Sequence, residues 1–373
     1  MAVGEAKSKC DHIAQVPLRS DVARELYRLY LAKGVHATTA IEGNTLSEEQ
    51  VRDEIEGKLA ISESHKYQRQ EVVNVINACA AIEQGIFGEA TNDGKIKYVD
   101  ILKYNELVLR DLDLEEGVRP GQIREHPIVV GNVYKGPPAD ECEGLLKRMC
   151  DWLNEPDFFM LHEKFGIGAS LIRAILAHLY IAWVHPFGDG NGRTARLIEF
   201  QVLVAGGVPS PSAHLLSNHY NSTRSRYYRE LRQASKNVGD QISFLCYGVE
   251  GFVDGLRDQI SHILENYLQD LVWSDFIDQQ LQGESNPVAA RHKELLVTLF
   301  RMTKPVKKAH LSSLTPRVAE LYSGKTTKTL SRDVNTLHQR KLILPSDDGW
   351  LTNRALIRQF LPPISDAPAA PRT

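Results

Sequence analysis

The run His185-Pro-Phe-Gly-Asp-Gly-Asn-Gly-Arg193, continued by Thr194 and Arg196, concentrates chemically able residues in one short stretch. Glycines at 188, 190 and 192 remove side-chain obstruction, so backbone N–H groups can converge on an anion. The positive end of a helix starting there adds to the attraction. Arg193 and Arg196, three apart, emerge on one helix face and suit a polyphosphate. Asp189 is a hard oxygen donor beside them, fit to hold Mg2+, which takes only one or two carboxylates and fills its shell from phosphate and water. His185 has a free edge for general-base work. A tight turn alone would account for the glycines, but not for a base, a carboxylate, an asparagine and two arginines beside them.

The elements that must position this loop are helices. Apolar residues recur at helical spacing and Gly or Pro clusters punctuate them. Leu171, Ile172, Ile175, Leu176, Leu179 and Trp183 make a stripe wide enough for a central buried helix ending at the loop. A second helix starts within Gly192–Thr194 and stops at Gly206-Gly207. Upstream, the spacing predicts a helix from Asp21, with Ser20 as its cap, to about Ile41, and a break at Glu42-Gly43-Asn44. A new helix then starts at Ser47, with Gln50 completing a capping box, and runs to Gly57. Further helices are predicted over Tyr67–Gln84 and Tyr98–Leu112. The β-branched residues around Gly131-Asn132 signal a short hairpin within Ile128–Pro138.

Composition sets the background. The chain has 373 residues, 42% hydrophobic and 24% charged, with a formal net charge of -3, an ordinary globular balance that argues against disorder or a membrane bundle. The first residues carry Glu5, Lys7, Lys9 and Asp11 with no apolar core, and the greasy run before Gly206 contains Glu199. The expectation is a cytoplasmic protein with no membrane segment. Five scattered cysteines, without a CxxC pair, read as reduced packing residues. The charge is uneven: Arg291–Leu361 holds 14 Lys and Arg against 5 Asp and Glu, an excess of 9 positive.

From His185 to Arg196 the chain resembles the Fic family signature, His-x-Phe-x-Asp/Glu-Gly-Asn-Gly-Arg-x-x-Arg, at every defined position. The resemblance implies a helical Fic fold that binds Mg-ATP and moves AMP onto Ser, Thr or Tyr hydroxyls of target proteins or of itself. Carried over, His185 deprotonates the target, Asp189 holds the metal, and Gly188, Gly190, Asn191, Gly192 and Thr194 surround the phosphates with Arg193 and Arg196. Phe187 anchors the loop in the core. The hairpin, with Val130, Gly131, Asn132 and Val133, resembles the flap that lays an extended target segment beside the site. Tyr227 falls where relatives contact adenine, although a core tyrosine fits its pattern equally, and Ser235 stands where relatives often have Asn.

Thr38-Thr-Ala-Ile-Glu42-Gly43 resembles the family's inhibitory motif, Ser/Thr-x-x-x-Glu-Gly/Asn. A glutamate there can pair with Arg196 and occupy the space of the γ-phosphate, or orient a water for removal of AMP. Both roles stay open.

The fold class read from these features is all-α. It comprises an N-terminal helical region at 1–112, a Fic core with a short hairpin flap at 113–283, a winged helix-turn-helix at 288–362 and a disordered tail at 363–373. Lys325, Lys328, Arg332, Arg340 and Lys341 lie on or beside the third helix of the tail domain, where a DNA groove or a protein is the candidate partner. The rival functional readings are a nucleotide-sensing DNA-binding regulator and a Fic enzyme using another donor, UMP or phosphocholine. A homodimer is a further expectation.

Overall fold

The computed structural model describes residues 1–16, 18, 20–60, 62–88, 94–130, 134–158, 165–236, 239–284, 286–302 and 304–360. Two compact units divide the chain at Ile260 and Ser261.

The first unit begins with α1 (Ala2–Gln15), which composition did not announce, then α2 (Ser20–Ile41) and α3 (Glu48–Ile55). The sides of the break between α2 and α3 are sharply defined. Gly43, at φ 101°, closes α2: its N–H bonds to Ala40 O, and Asn44 N–H bonds back to Thr39 O. This pairing is a Schellman termination, which needs a left-handed residue that glycine supplies without strain. Ser47 and Gln50 form the expected capping box on α3.

α4 (Lys66–Gly88) and α5 (Tyr98–Leu109) follow, then β1 (Val129–Val130) and β2 (Tyr134–Lys135), paired antiparallel with Val129 opposite Lys135 and Val130 opposite Tyr134. Gly131, Asn132 and Val133, the expected tip of the flap, lie outside the described residues. α6 (Ala139–Leu153), another helix the sequence reading did not name, leads to the central pair α7 (Ile167–Val184) and α8 (Asn191–Ala205). Short helices α9 (Ser210–Ala213), α10 (Leu215–Ser222) and α11 (Arg224–Ala234) precede α12 (Gln241–Ile263).

α7 corrects one expectation. With 18 residues and a mean hydropathy of 1.6 it is long and apolar enough to cross a membrane, yet 72% of it is buried inside the protein. Arg173 and His178 sit within it, each held by buried partners. Its apolarity therefore reflects burial on all sides, as expected for a helix at the centre of a bundle.

α2 packs against this centre through Leu26, Tyr30, Leu31, Val35, Thr38 and Ile41. Gly34 lets it come close. A Cβ there would overlap the His214 ring, which is buried and stacked on Phe200 with 4.6 Å between ring centroids. Burial pushes the His214 imidazole down to about 4, so the ring is a neutral packing group.

The second unit contains α13 (Gln269–Gln280), α14 (Asn286–Phe300), α15 (Pro316–Tyr322), α16 (Thr327–Gln339) and the antiparallel strands β3 (Ile343–Ser346) and β4 (Gly349–Thr352). Trp273, Ile277 and Leu281 join Leu295, Leu296, Leu299, Val334 and Leu337 in its core. The boundary thus falls ahead of α13 instead of at the Gly283–Pro287 linker, because the apolar face of α13 is buried in this second core. The span 363–373 lies outside the described residues.

Gly34→Ala gains roughly 1 kcal/mol of helix propensity but forces a methyl into the His214 ring, an overpacking that costs about 1–3 kcal/mol. A net loss of stability is expected in urea denaturation; equal or higher stability would show that α2 can move away from His214.

Candidate active site

The loop is built at the junction of α7 and α8. His185 caps α7 in the left-handed conformation, φ 46° and ψ 58°, which sharply reverses the chain. That geometry is uncommon for a residue with a Cβ and persists where surrounding contacts impose it. Here the His185 N–H bonds to Ile181 O at 2.9 Å, while Arg124 Nε donates to His185 O at 2.8 Å. Arg124, buried, also donates to His126 O and Pro137 O, so its guanidinium ties the loop to the base of the hairpin. Tyr134 of β2 adds a bond from its hydroxyl to Trp183 O at 2.7 Å.

The imidazole of His185 is oriented by Nδ1, 3.3 Å from Ala182 O. A carbonyl only accepts, so Nδ1 carries the proton and Nε2 presents its lone pair. Burial pushes the imidazole below its ordinary value, opposed by the bond to Ala182 and reinforced by the Arg124 charge. The ring is neutral at pH 7 and competent to take a proton.

Phe187 is fully buried and is the anchor expected of it. Asn191 grips it from both sides: Phe187 N–H donates to Asn191 Oδ1 and Asn191 Nδ2 donates to Phe187 O, each at 2.9 Å. The Asn191 side chain is therefore spent on closing the loop, and only its backbone N–H faces a ligand role. Thr194 differs from expectation in the same way. It is fully buried behind the loop, with its hydroxyl 3.4 Å from Asn105 Nδ2. Asn105 of α5 also donates to Asp189 O at 2.9 Å and accepts from Gly121 N–H at 3.0 Å. Gly190, at φ 77°, is required beside it, because a Cβ would meet Asn105 Nδ2 at 2.9 Å. Gly188 is exposed over Val118.

Three carboxylates meet the two arginines at the start of α8. Arg193, buried, donates Nη1 to Glu71 at 2.7 Å and Nη2 to Asp189 at 3.1 Å. Arg196, also buried, donates Nε to Thr38 Oγ1 at 2.6 Å, and Nη2 to Thr38 O at 3.1 Å and to Glu42 Oε1. Burial would raise the Glu42 pKa, but the Arg196 charge and hydrogen bond outweigh it and hold the carboxylate below its ordinary value. The Glu42 carboxylate lies directly on Gly192, where a Cβ would collide with Oε1. The expected pairing of the N-terminal motif with the loop is thus made, with 32% of the Glu42 side chain still exposed.

Two donors remain buried without an acceptor among the described residues: Arg193 Nε and Arg196 Nη1. Such donors normally find a partner, and an anion at the start of α8 would supply one. Asp189 keeps 43% of its side chain exposed beside them. Among the described residues no cluster of three or more His, Cys, Asp or Glu can hold a metal, so a cation here would rest on Asp189 and on the phosphates it accompanies.

Tyr227 is buried in the aromatic core. It stacks on Tyr220 with 4.7 Å between centroids and bonds His178 Nε2 at 2.9 Å. Its neighbour Tyr228 is 41% exposed and reaches Ile41 O. Sequence reasoning missed Glu71, Asn105, Arg124 and Arg224. The first two carried a signal, since each is a polar residue on the apolar face of a helix, with Val72 and Val75 or Ile101 and Val108.

Residues 95–203 match the Fic/DOC family. The chain is 28% identical over 272 residues to the protein adenylyltransferase fic-1 of Caenorhabditis elegans, covering 71% of this chain and 49% of that protein. It is 31% identical over 245 residues to the protein of the same name from Caenorhabditis briggsae, covering 66% and 43%. The chain thus spans about half the length, or less, of the curated relatives it matches. Among solved structures, a Fic family protein from Desulfovibrio desulfuricans G20 superposes with a TM-score of 0.57 at 22% identity, over 92% of this chain and 91% of that one. Fic-1 of C. elegans superposes with a TM-score of 0.55 at 27% identity, over 70% and 72%.

Asn191→Ala removes both bonds that close the loop and leaves two buried main-chain groups of Phe187 unmet, a loss of about 1–3 kcal/mol per unmet group. Chemical denaturation is expected to report a drop of at least about 1 kcal/mol; unchanged stability would mean the loop closes without the staple.

Proposed function

We propose that this chain, which carries a Fic domain, is a protein adenylyltransferase restrained by Glu42. The single observation that carries the reading is the convergence of three things at the start of α8. These are the free Nε2 edge of a neutral His185, the two arginine donors without acceptors among the described residues, and glycines at 188, 190 and 192 that put no side chain over the loop.

In this reading the triphosphate of ATP lies against the start of α8, with Arg193 and Arg196 on its outer phosphates. Asp189 would hold Mg2+, which when bound neutralises phosphate charge. A target hydroxyl, presented along the hairpin, attacks the α-phosphorus. The O–P bond forms as the bond from the α-phosphorus to the oxygen of the β-phosphate breaks, pyrophosphate leaves, and the hydroxyl proton passes to His185 Nε2. Little covalent work falls to the protein, so placement and charge stabilisation dominate.

Glu42 opposes this by occupying the guanidinium of Arg196 and the space over Gly192 that an outer phosphate needs. Incubation with Mg2+ and α-labelled ATP tests both assignments. Glu42→Gly is expected to raise labelling by about tenfold or more, equivalent to roughly 1.4 kcal/mol. Adding His185→Ala should lower it by about 10²–10⁴-fold. Equal labelling of wild type and Glu42→Gly would end the restraint reading, and labelling by the double variant would end the assignment of the base.

A second reading concerns the C-terminal unit and rests on the outer face of α16. Leu330, Val334 and Leu337 are buried, while Lys328, Ser331, Arg332, Asn335 and Gln339 line one shallow groove on the other side. Arg291, Lys293, Arg301, Arg317 and Arg340 are each paired to a carboxylate. Lys328 and Arg332 have no such partner among the described residues. A cationic face with amide and hydroxyl groups suits the major groove of duplex DNA, in the manner of a winged helix. Fluorescence anisotropy with a short duplex should show binding that weakens steeply between about 50 and 200 mM salt, and Lys328→Ala with Arg332→Ala should flatten the salt slope by about one per lost contact. No binding at low salt would remove DNA as the partner.

A further inference from the structure

The C-terminal end of α2 leaves the carbonyls of Thr38, Thr39, Ala40 and Ile41 without intrahelical partners, as any helix end must. Every one of them has a donor. Thr39 O accepts from Glu42 N–H and Asn44 N–H, and Ala40 O from Gly43 N–H, which is the helix termination itself. Thr38 O accepts from Arg196. The remaining donors come from α11: Arg224 Nη1 reaches Ala40 O at 3.1 Å, Arg224 Nη2 reaches Ile41 O, and Tyr228 Oη reaches Ile41 O at 3.2 Å. The Arg224 guanidinium lies 5.9 Å from the Tyr228 ring, so the two side chains support each other.

We infer that Arg224, assisted by Tyr228, is a positioning residue that holds the end of α2 so that Glu42 stays on Arg196. The inference rests on the reading of Glu42 as the restraint. The fork of one guanidinium spans two consecutive carbonyls, which fixes the direction of the final turn as well as its position. Its positive charge sits at the negative end of the α2 dipole. Glu42 is the next residue after Ile41, so the carbonyl that Arg224 and Tyr228 hold is one peptide bond from the restraining residue. Arg224 and Tyr228 are both exposed, unlike Arg196, so the grip they provide is open to solvent and to competing acceptors. Through them, the strength of the restraint depends on a surface side chain of α11 as well as on the buried ion pair.

The test compares wild type, Arg224→Ala, Glu42→Gly and the double variant in the labelling assay, with thermal denaturation of each. Arg224→Ala is expected to raise labelling about fivefold over wild type, Arg224→Lys to recover part of the restraint through a single carbonyl, and the double variant to match Glu42→Gly. A role in folding alone would not produce a gain that vanishes when Glu42 is absent. If Glu42→Gly is faster than wild type but Arg224→Ala is not, the inference fails while the restraint stands. If Arg224→Ala raises labelling equally with and without Glu42, Arg224 acts elsewhere and the inference fails. If Glu42→Gly itself is no faster, the underlying reading has failed. Should Arg224→Ala not fold, Tyr228→Phe carries the same comparison: a smaller gain that again disappears without Glu42 supports the inference, and no gain overturns it.

Discussion

Arg196 is a guanidinium buried at the positive end of its own helix, and that unfavourable placement organises the first unit. Burial of an unpaired charge costs several kcal/mol, and the α8 dipole adds repulsion. The arrangement is tolerable only because acceptors surround it: Thr38 through hydroxyl and carbonyl, and Glu42 through its carboxylate. Arg193 repeats the pattern with Glu71 and Asp189. The protein supplies its own carboxylates to the site. The groups that hold Glu42 here are those that the proposed reading assigns to a polyphosphate.

The competition is uneven in a useful way. Glu71 is braced by Asn44, whose Nδ2 donates to it at 2.9 Å, and Asn44 is itself fixed by donating to Gln68 O and accepting from Leu46 N–H. Its pairing with Arg193 is part of the permanent frame. Glu42 has no such brace on its carboxylate other than Arg196 among the described residues, and a third of its side chain is open. Of the two glutamates on the arginines it is the more open, with 32% of its side chain exposed against 9% for Glu71. A phosphate oxygen replacing it would meet the same guanidinium and would also reach the Nη1 that now lacks an acceptor.

The parts of this site that were legible in the sequence are those encoded locally. The loop could be read because its glycines, base and arginines are contiguous, and the end of α2 because Glu-Gly-Asn marks a helix stop. The capping box at Ser47 and the presence of a short hairpin were legible for the same reason. Asn105, Arg124 and Arg224 were not, since each acts on a main chain distant from it in sequence, and a lone polar residue in a helical pattern does not say which carbonyl it will meet. Thr194 and the Asn191 side chain were misjudged in the opposite direction. Proximity in the motif suggested contact with a ligand, whereas the turn that exposes the backbone points these side chains back into the protein. The helices α1 and α6 were not named, although Pro138 and the acidic first turn of Asp140 and Glu141 mark the start of α6.

Glu42 owes its position to the way α2 ends. A glutamate placed in mid-helix would have its direction set by helix geometry alone, and it would move only with the whole helix. At the final residue before a left-handed glycine, its backbone belongs to a termination that must be held by donors from outside the helix. Those donors come from α8 and α11. An event that drew Arg196 Nη2 away would withdraw one donor from the helix end as well as one partner from the carboxylate. The Glu42 carboxylate and the Thr38 carbonyl share a single donor, Arg196 Nη2, so the ion pair and the anchoring of the helix end are coupled. In the proposed reading, a phosphate that took the place of the carboxylate on Nη2 would compete for the donor of Thr38 O as well.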